Sequence, residues 1–344
     1  MKITIKDVAK KAGVSPAAAA RVVGGYGYVS TETRRKVQAA VRELGYRPNT
    51  IARSMVTKST RTIGLVITDI TNPFFAQLVR GIEDVTWQHG YTLVLANTDE
   101  NREREQAVVY ALQEKRVDAY IIVPASSQSA PHLEELFLQD IPMVLVDRAV
   151  NGLKVDTIMV DNEGGAYQAV RHLINLGHRR IGLILDNLDI TTNKERMEGY
   201  RRALVERDLI VEQALIQSCQ FTRQSAFELV SQMLRNSNRP TALFTANNFM
   251  TVGATKAIQE AGLHIPQDIA LVGFDDLEWN QLNCPQLTAV AQPVAEIGSI
   301  AAQRILSRLK GDSASPMEIR LKTTFIIRDS CGAKPTQPIK ETTP

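Results

Sequence analysis

Seven short apolar runs in this chain end in a carboxylate or a carboxamide: Asp69, Asn97, Asp147, Asp161, Asp186, Asn247 and Asp275. Side chains of this type make several hydrogen bonds each, which suits a ligand that carries many hydroxyls. Ligands of open α/β sheets bind outside the carboxyl ends of the strands, so recurrence at that place points to a polyhydroxy ligand between strand ends. Taken singly, each of the seven also fits a helix N-cap. The chain has no G-x-S-x-G, no G-x-x-x-x-G-K-[ST], no H-E-x-x-H and no spaced Cys/His cluster. Nothing pairs the carboxylates with a nucleophile. The residues read as a binding site without catalysis, metal or cofactor.

The elements that must position these groups follow from the apolar pattern. The runs "TIGLVIT", "YTLVLAN", "DAYIIVPA", "PMVLVD", "TIMVDN", "RIGLIL", "TALFTA" and "DIALVGF" are separated mostly by longer helical stretches such as Pro73–His89 and Arg102–Arg116. Continuous apolar strands alternating with helices predict parallel sheets covered on both faces. A stretch from Thr62 to about residue 330 is too long for one small sheet, so two α/β subdomains are expected. His178, in "GHRRIG", precedes a strand and is expected to be structural.

The first 60 residues differ in kind. They hold 12 Lys+Arg against 3 Asp+Glu, whereas the rest of the chain holds 28 against 34. A basic head on an acidic body implies a head that meets phosphate. Thr4 and Asp7 form a capping box, and Val8, Ala9 and Ala12 make an apolar stripe that stops at Gly13. Ser15 and Pro16 restart a helix as N-cap and first helical residue. Two helices joined by Gly13-Val14-Ser15 make a helix-turn-helix, whose second member enters the major groove. A third helix is predicted from Glu32 to Leu44, with Val37, Val41 and Leu44 on one face.

"TIKDVAKKAGVSPAAAARVV" and "GYVSTETRRKVQAAVRELGYRPNTIARSM" resemble the head and hinge of the LacI/GalR family of bacterial transcription regulators, and the likeness runs to about Asp329. It implies a three-helix head (1–47), a hinge with a short helix (48–60) and a body like the periplasmic sugar-binding proteins. The first body subdomain would comprise 61–161 and 293–320, and the second 162–292 and 321–330. The chain would cross between them near Asp161, Gln292 and Leu321. The implied function is a DNA-binding regulator, a repressor of carbohydrate use, controlled by a sugar between the subdomains. A body that binds sugar beneath an impaired reading helix is the alternative.

The reading helix departs from the family pattern. Ala18, Ala19 and Ala20 stand where Thr, Val and Ser are usual, and Gly24 where Asn is. Phosphate contacts that position the helix are thereby lost. The resemblance assigns DNA contact to Ser15, Pro16, Ala17, Arg21, Ser30, Arg34, Tyr46, Asn49 and Arg53, and to Met55 as a minor-groove wedge. To effector contact it assigns Asp69, Phe74, Asp147, Arg148, Thr192, Arg196, Phe221, Asn247, Asp275 and Gln292. Arg148, Lys194 and Arg196 would add positive charge near the cleft, which favours a sugar acid over a neutral hexose. A pseudo-palindromic operator and a homodimer are the expected partners. No secretory signal or membrane-spanning run is evident, and Cys219, Cys284 and Cys331 form no C-x-x-C pair, which fits the cytoplasm. Residues 331–344 read as a disordered tail without leucine heptads.

Overall fold

A computed structural model describes residues 3–46 and 59–333. They fall into two compact units, one ending at Arg61 and one beginning at Thr62. The hinge residues Asn49, Arg53 and Met55, and 334–344 of the tail, lie outside the described residues.

The first unit holds α1 (Ile5–Ala12), α2 (Pro16–Gly24) and α3 (Thr31–Leu44). The Asp7 carboxylate accepts from the Thr4 N–H at 2.8 Å and from its hydroxyl at 2.7 Å. Gly13 ends α1 at φ +65°, a left-handed turn that glycine takes without a steric penalty. Ser15 Oγ accepts from the Ala18 N–H at 3.1 Å and starts α2. The fully buried set is Val8, Ala9, Ala19, Val37 and Ala40. Three of these five are alanines, so the core of the head is thin and each cap counts. Ser15→Ala is expected to loosen α2 by about 1 kcal/mol. Amide exchange in α2 of the full chain should then run about five-fold faster; unchanged exchange would refute the cap's role.

The second unit is built on two six-stranded sheets. The first contains β1 (Thr62–Ile67), β2 (Thr92–Asn97), β3 (Ala119–Ile122), β4 (Met143–Val146), β5 (Asp156–Val160) and β11 (Glu318–Leu321), in the order β11-β5-β4-β3-β1-β2. The second contains β6 (Ile181–Leu185), β7 (Ile216–Ser218), β8 (Ala242–Thr245), β9 (Ala270–Phe274), β10 (Thr288–Ala291) and β12 (Thr324–Ile326), in the order β12-β10-β9-β8-β6-β7. Helices α4 (Pro73–Gln88), α5 (Arg102–Glu114), α6 (Pro131–Leu138) and α12 (Val294–Leu309) cover the first sheet. Around the second run α7 (Asn162–Asn175), α8 (Thr191–Val205), α9 (Arg223–Leu234), α10 (Asn248–Glu260) and the short α11 (Glu278–Leu282).

The central strands of each sheet are buried on both faces, which is why they read as unbroken apolar runs. In β1, Ile63, Leu65 and Ile67 pack on α4 and α12, while Val66 faces the opposite layer with Tyr120 and Ile122. Helices α4 and α12 touch backbone to backbone. A Cβ on Gly81 would lie 2.5 Å from Ala295 O, and one on Gly298 2.6 Å from Leu78 O. His178 bonds Thr241 Oγ1 at 2.9 Å and braces the start of β6.

Three expectations need correction. The second sheet is not wholly parallel, because β12 pairs antiparallel with β10. The carboxyl ends of the two sheets face each other, so a chain that runs straight out of β11 through Lys322-Thr323 must enter the second sheet against its strands. Leu321 pairs with Val160 and belongs to the first sheet, so the third crossing comes just after it. The tail does not begin at Cys331, which is buried and packs in the second core with Ala333 nearby.

Candidate functional site

Residues beyond the carboxyl ends of both sheets converge on one pocket. Asn72, Phe74, Phe75, Asp147 and Arg148 line it from the first sheet's side. Asp186, Thr192, Asn193, Arg196, Phe221, Asn247 and Asp275 line it from the second, and Gln292 where the chain crosses. The space inside is only about 30 Å³, room for very few waters, because the two sides are drawn together. Asn248 Nδ2 donates across to Asn72 Oδ1 at 2.7 Å, and Ser127 N to Asp189 O at 3.2 Å.

Nine of the ten residues assigned to the effector lie here: Phe74, Asp147, Arg148, Thr192, Arg196, Phe221, Asn247, Asp275 and Gln292. The tenth, Asp69, lines a neighbouring cavity of about 580 Å³. There its Oδ1 accepts from the N–H of Thr71 at 2.8 Å and from its hydroxyl at 2.7 Å. Lys194 is exposed and lines neither cavity. Two residues apart on α8, Lys194 and Arg196 point to different sides.

Among the seven strand-end groups, two cap helices. Asp161 accepts from Gly164 N at 2.8 Å and Asn247 from Met250 N at 3.0 Å. Asp147 and Asp275 do something else. They sit at φ +68° and +78°, left-handed values that non-glycine residues adopt rarely, Asp and Asn more readily than most. They also occupy equivalent places, after β4 and after β9. The Asp147 N–H donates to Ile158 O of β5 and that of Asp275 to Val290 O of β10, each at 2.9 Å. The two halves thus present one carboxylate each from matching strand ends.

Between them lies Arg196, 4% exposed. Its Nε donates to Asn162 Oδ1 at 2.9 Å and one Nη to Ala246 O at 2.5 Å, while the guanidinium stacks over the Phe274 ring at 3.7 Å. Burial lowers its pKa against the pull of Asp275, Asp147 and Asp186. Burial likewise raises both Asp147 and Asp275, with Arg148 and Arg196 opposing at Asp147 and Arg196 and Gln292 at Asp275. Gln292 Nε2 donates to Asp275 Oδ1 at 2.6 Å, and its own Oε1 is buried without a partner. Arg148 is fully engaged: its two Nη atoms meet Glu100 at 2.6 and 2.7 Å, and one also meets Pro124 O at 3.0 Å. It therefore brings no spare positive charge.

Asn72, Phe75 and Asn193 line the pocket unanticipated, and Asp186 lines it without having been assigned to the effector. Asp186 was legible as a strand end, and Asn193 lies one helical turn before Arg196. Asn193 Nδ2 donates to Asp186, as does Asn247 Nδ2 at 3.4 Å. Burial pushes the Asp186 carboxyl up to about 6, against the pull of Arg148. With the folded value above the ordinary 3.8, the penalty of ionising Asp186 is fully present above pH 6 and relieved as pH falls from 6 towards 4. The gap corresponds to about 3 kcal/mol. Asp186→Asn is therefore expected to raise the urea midpoint at pH 7.5, with an advantage that shrinks towards pH 4.5. An advantage independent of pH would contradict this.

In the first unit, Pro16, Ala17 and Arg21 are exposed on α2, while Ala18 and Ala20 are half-buried and Ala19 is fully buried. Only one of the four alanines is thus a core residue. Ser30 caps α3, accepting from Thr33 N at 3.3 Å, Arg34 is exposed, and Tyr46 packs against the small core. Tyr28, 92% exposed, is the most open large apolar side chain among the described residues of the head.

Two family descriptions match. Residues 4–49 match the bacterial regulatory proteins of the lacI family, and residues 60–329 the periplasmic binding proteins and sugar-binding domain of that family. The chain belongs to the LacI family. It is 34% identical over 331 residues to catabolite control protein A of Priestia megaterium, covering 96% of this chain and 99% of that protein. It is 35% identical over 327 residues to the ribose operon repressor of Haemophilus influenzae, covering 95% and 98%. The lac repressor dimer bound to operator and an anti-inducer superposes with a TM-score of 0.86 at 28% identity, covering 97% and 100%. As a LacI-family member the chain is a DNA-binding transcriptional repressor under the control of a small effector, and not an enzyme. No described helix is long and apolar enough to cross a membrane.

Proposed function

We propose that this LacI-family protein is a cytoplasmic homodimer that represses a carbohydrate-utilisation operon and is switched by a neutral sugar held between its two α/β subdomains. The observation that carries the reading is the convergence of Asp147, Asp186, Asn247, Asp275 and Gln292 around Arg196 in one buried pocket. Carboxylates and amides crowded in this way offer acceptors and donors to several hydroxyls at once. The charge balance argues against a sugar acid. Arg148 is taken up by Glu100 and Lys194 lies outside, so the carboxylates Asp147, Asp186, Asp275 and Glu100 outnumber Arg148 and Arg196.

The effector acts by linkage. It binds one arrangement of the subdomains better than another and thereby shifts operator affinity. Pro16, Ala17 and Arg21 would supply the exposed readout surface of α2, Met55 the minor-groove wedge at the hinge, and Asn49 and Arg53 phosphate contacts beside it. The test is selection of bound duplexes from a random pool, followed by titration of the best duplex with neutral sugars and sugar acids. Enrichment of a pseudo-palindrome whose affinity changes with a neutral sugar is expected. A response to sugar acids alone would overturn the ligand class, and no enrichment with or without sugar would overturn the operator reading.

A further inference from the structure

The pocket continues past its own walls. It shares Asp186 and Phe221 with the outer cavity of about 580 Å³, against about 30 Å³ inside. Sheet topology explains why the larger space lies where it does. The three crossings run from β5 into α7, from β10 into α12 and from β11 into β12; β5 and β11 lie beside each other at one edge of the first sheet, and β10 and β12 at one edge of the second. Strands β2 and β7 occupy the opposite edges. The outer cavity is walled by Asp99 and Glu100 after β2 and by Gln220 and Phe221 after β7. Two sheets joined at one edge pinch together at the middle and leave the far edge open. Once the inner pocket of about 30 Å³ opens far enough to take a ring among Asp147, Arg196 and Asp275, that ring can extend in this direction.

The walls of that space have a definite chemistry. Phe221 packs against Phe249 at 4.9 Å between ring centroids, which holds an aromatic face at the junction of the two cavities. Around it stand carboxylates and amides that accept from and donate to hydroxyls. Asp99 and Glu100 are paired with Arg104 and Arg148, which leaves the carboxylates of Asp69 and Asp186 to disfavour an anionic group there. We propose that the outer cavity is the subsite for a second ring, so that the effector is a neutral disaccharide or longer glycoside. The inference rests on the sugar reading given above.

Gln220 is exposed, and its backbone carbonyl, not its side chain, holds the Thr222–Ser225 turn. Gln220→Trp should therefore fill the outer cavity without disturbing the fold. Calorimetry on the full chain would compare each monosaccharide with its extensions: glucose with maltose, cellobiose and gentiobiose; galactose with lactose and melibiose; xylose with xylobiose. At least one disaccharide is expected to bind ten-fold or more tightly than its parent ring, and Gln220→Trp to erase that ratio. Monosaccharides binding as tightly as all their extensions, or a ratio that survives Gln220→Trp, would overturn the second-ring subsite alone. If no sugar of either length binds, the sugar reading fails and this inference fails with it.

Discussion

Replacing Arg196 with methionine is expected to destabilise the body by about 3–5 kcal/mol at pH 7, the range for leaving a buried charge without its compensating partner. The guanidinium is 4% exposed, and its charge draws the buried Asp275 carboxylate towards its ionised form, as it does Asp147 together with Arg148. Methionine restores much of the volume over Phe274 but none of the charge and neither of the bonds to Asn162 and Ala246. Without Arg196 the two carboxylates are pushed further up. Their ionisation penalty is then present above their folded pKa values and relieved as pH falls through them. A large part of the lost urea midpoint should accordingly return at acid pH. An unchanged midpoint at pH 7 would show that Arg196 is not the keystone of the charge arrangement.

Asp275→Asn is expected to separate binding from stability. Asp275 accepts from the Asn248 N–H at 3.1 Å and from Gln292 at 2.6 Å. Asparagine keeps an acceptor for the first, and its amide can donate to Gln292 once that side chain turns its unpartnered Oε1 inward. Asparagine also tolerates the +78° φ at this position. Since burial disfavours the charge on Asp275, and Asp147 and Asp186 remain to balance Arg196, stability should hold or rise. Hydrogen bonds from sugar hydroxyls to a carboxylate are charge-assisted, worth about 1.5–3 kcal/mol each, so effector affinity should fall roughly 10- to 150-fold. Calorimetry beside urea unfolding reads both. Intact affinity would remove Asp275 from the binding set, and a collapsed midpoint would give it a structural role instead.

Much of this was legible in local signals. Thr4, Asp7, Gly13, Ser15 and Pro16 bound the first two helices where the sequence placed them, because caps act within one turn of the chain. The strands of the body were legible because burial on both faces removes polar alternation. Asp186 was visible as a strand end, yet its role depends on Asn193 and Asn247 closing around it. The bond between Arg148 and Glu100 spans 48 residues of sequence, and no local pattern announces it. That pair reversed the expected charge of the cleft.

The sequence by itself determined the family, the basic head, the α/β body and most of the strand-end polar groups, since each depends on neighbours a few residues apart. Which of those groups cap helices and which line the pocket is set by the tertiary structure. Asp147 and Asp275 are the clearest case. They lie 128 positions apart in number, with no shared local motif, and become equivalent because β4 and β9 occupy the same place in two sheets of matching order. The direction of β12 is another, since it is set by a chain that crosses between facing sheets without turning. Distances along the chain do not encode such placements; they arise when the sheets close on each other and buried charges must find partners.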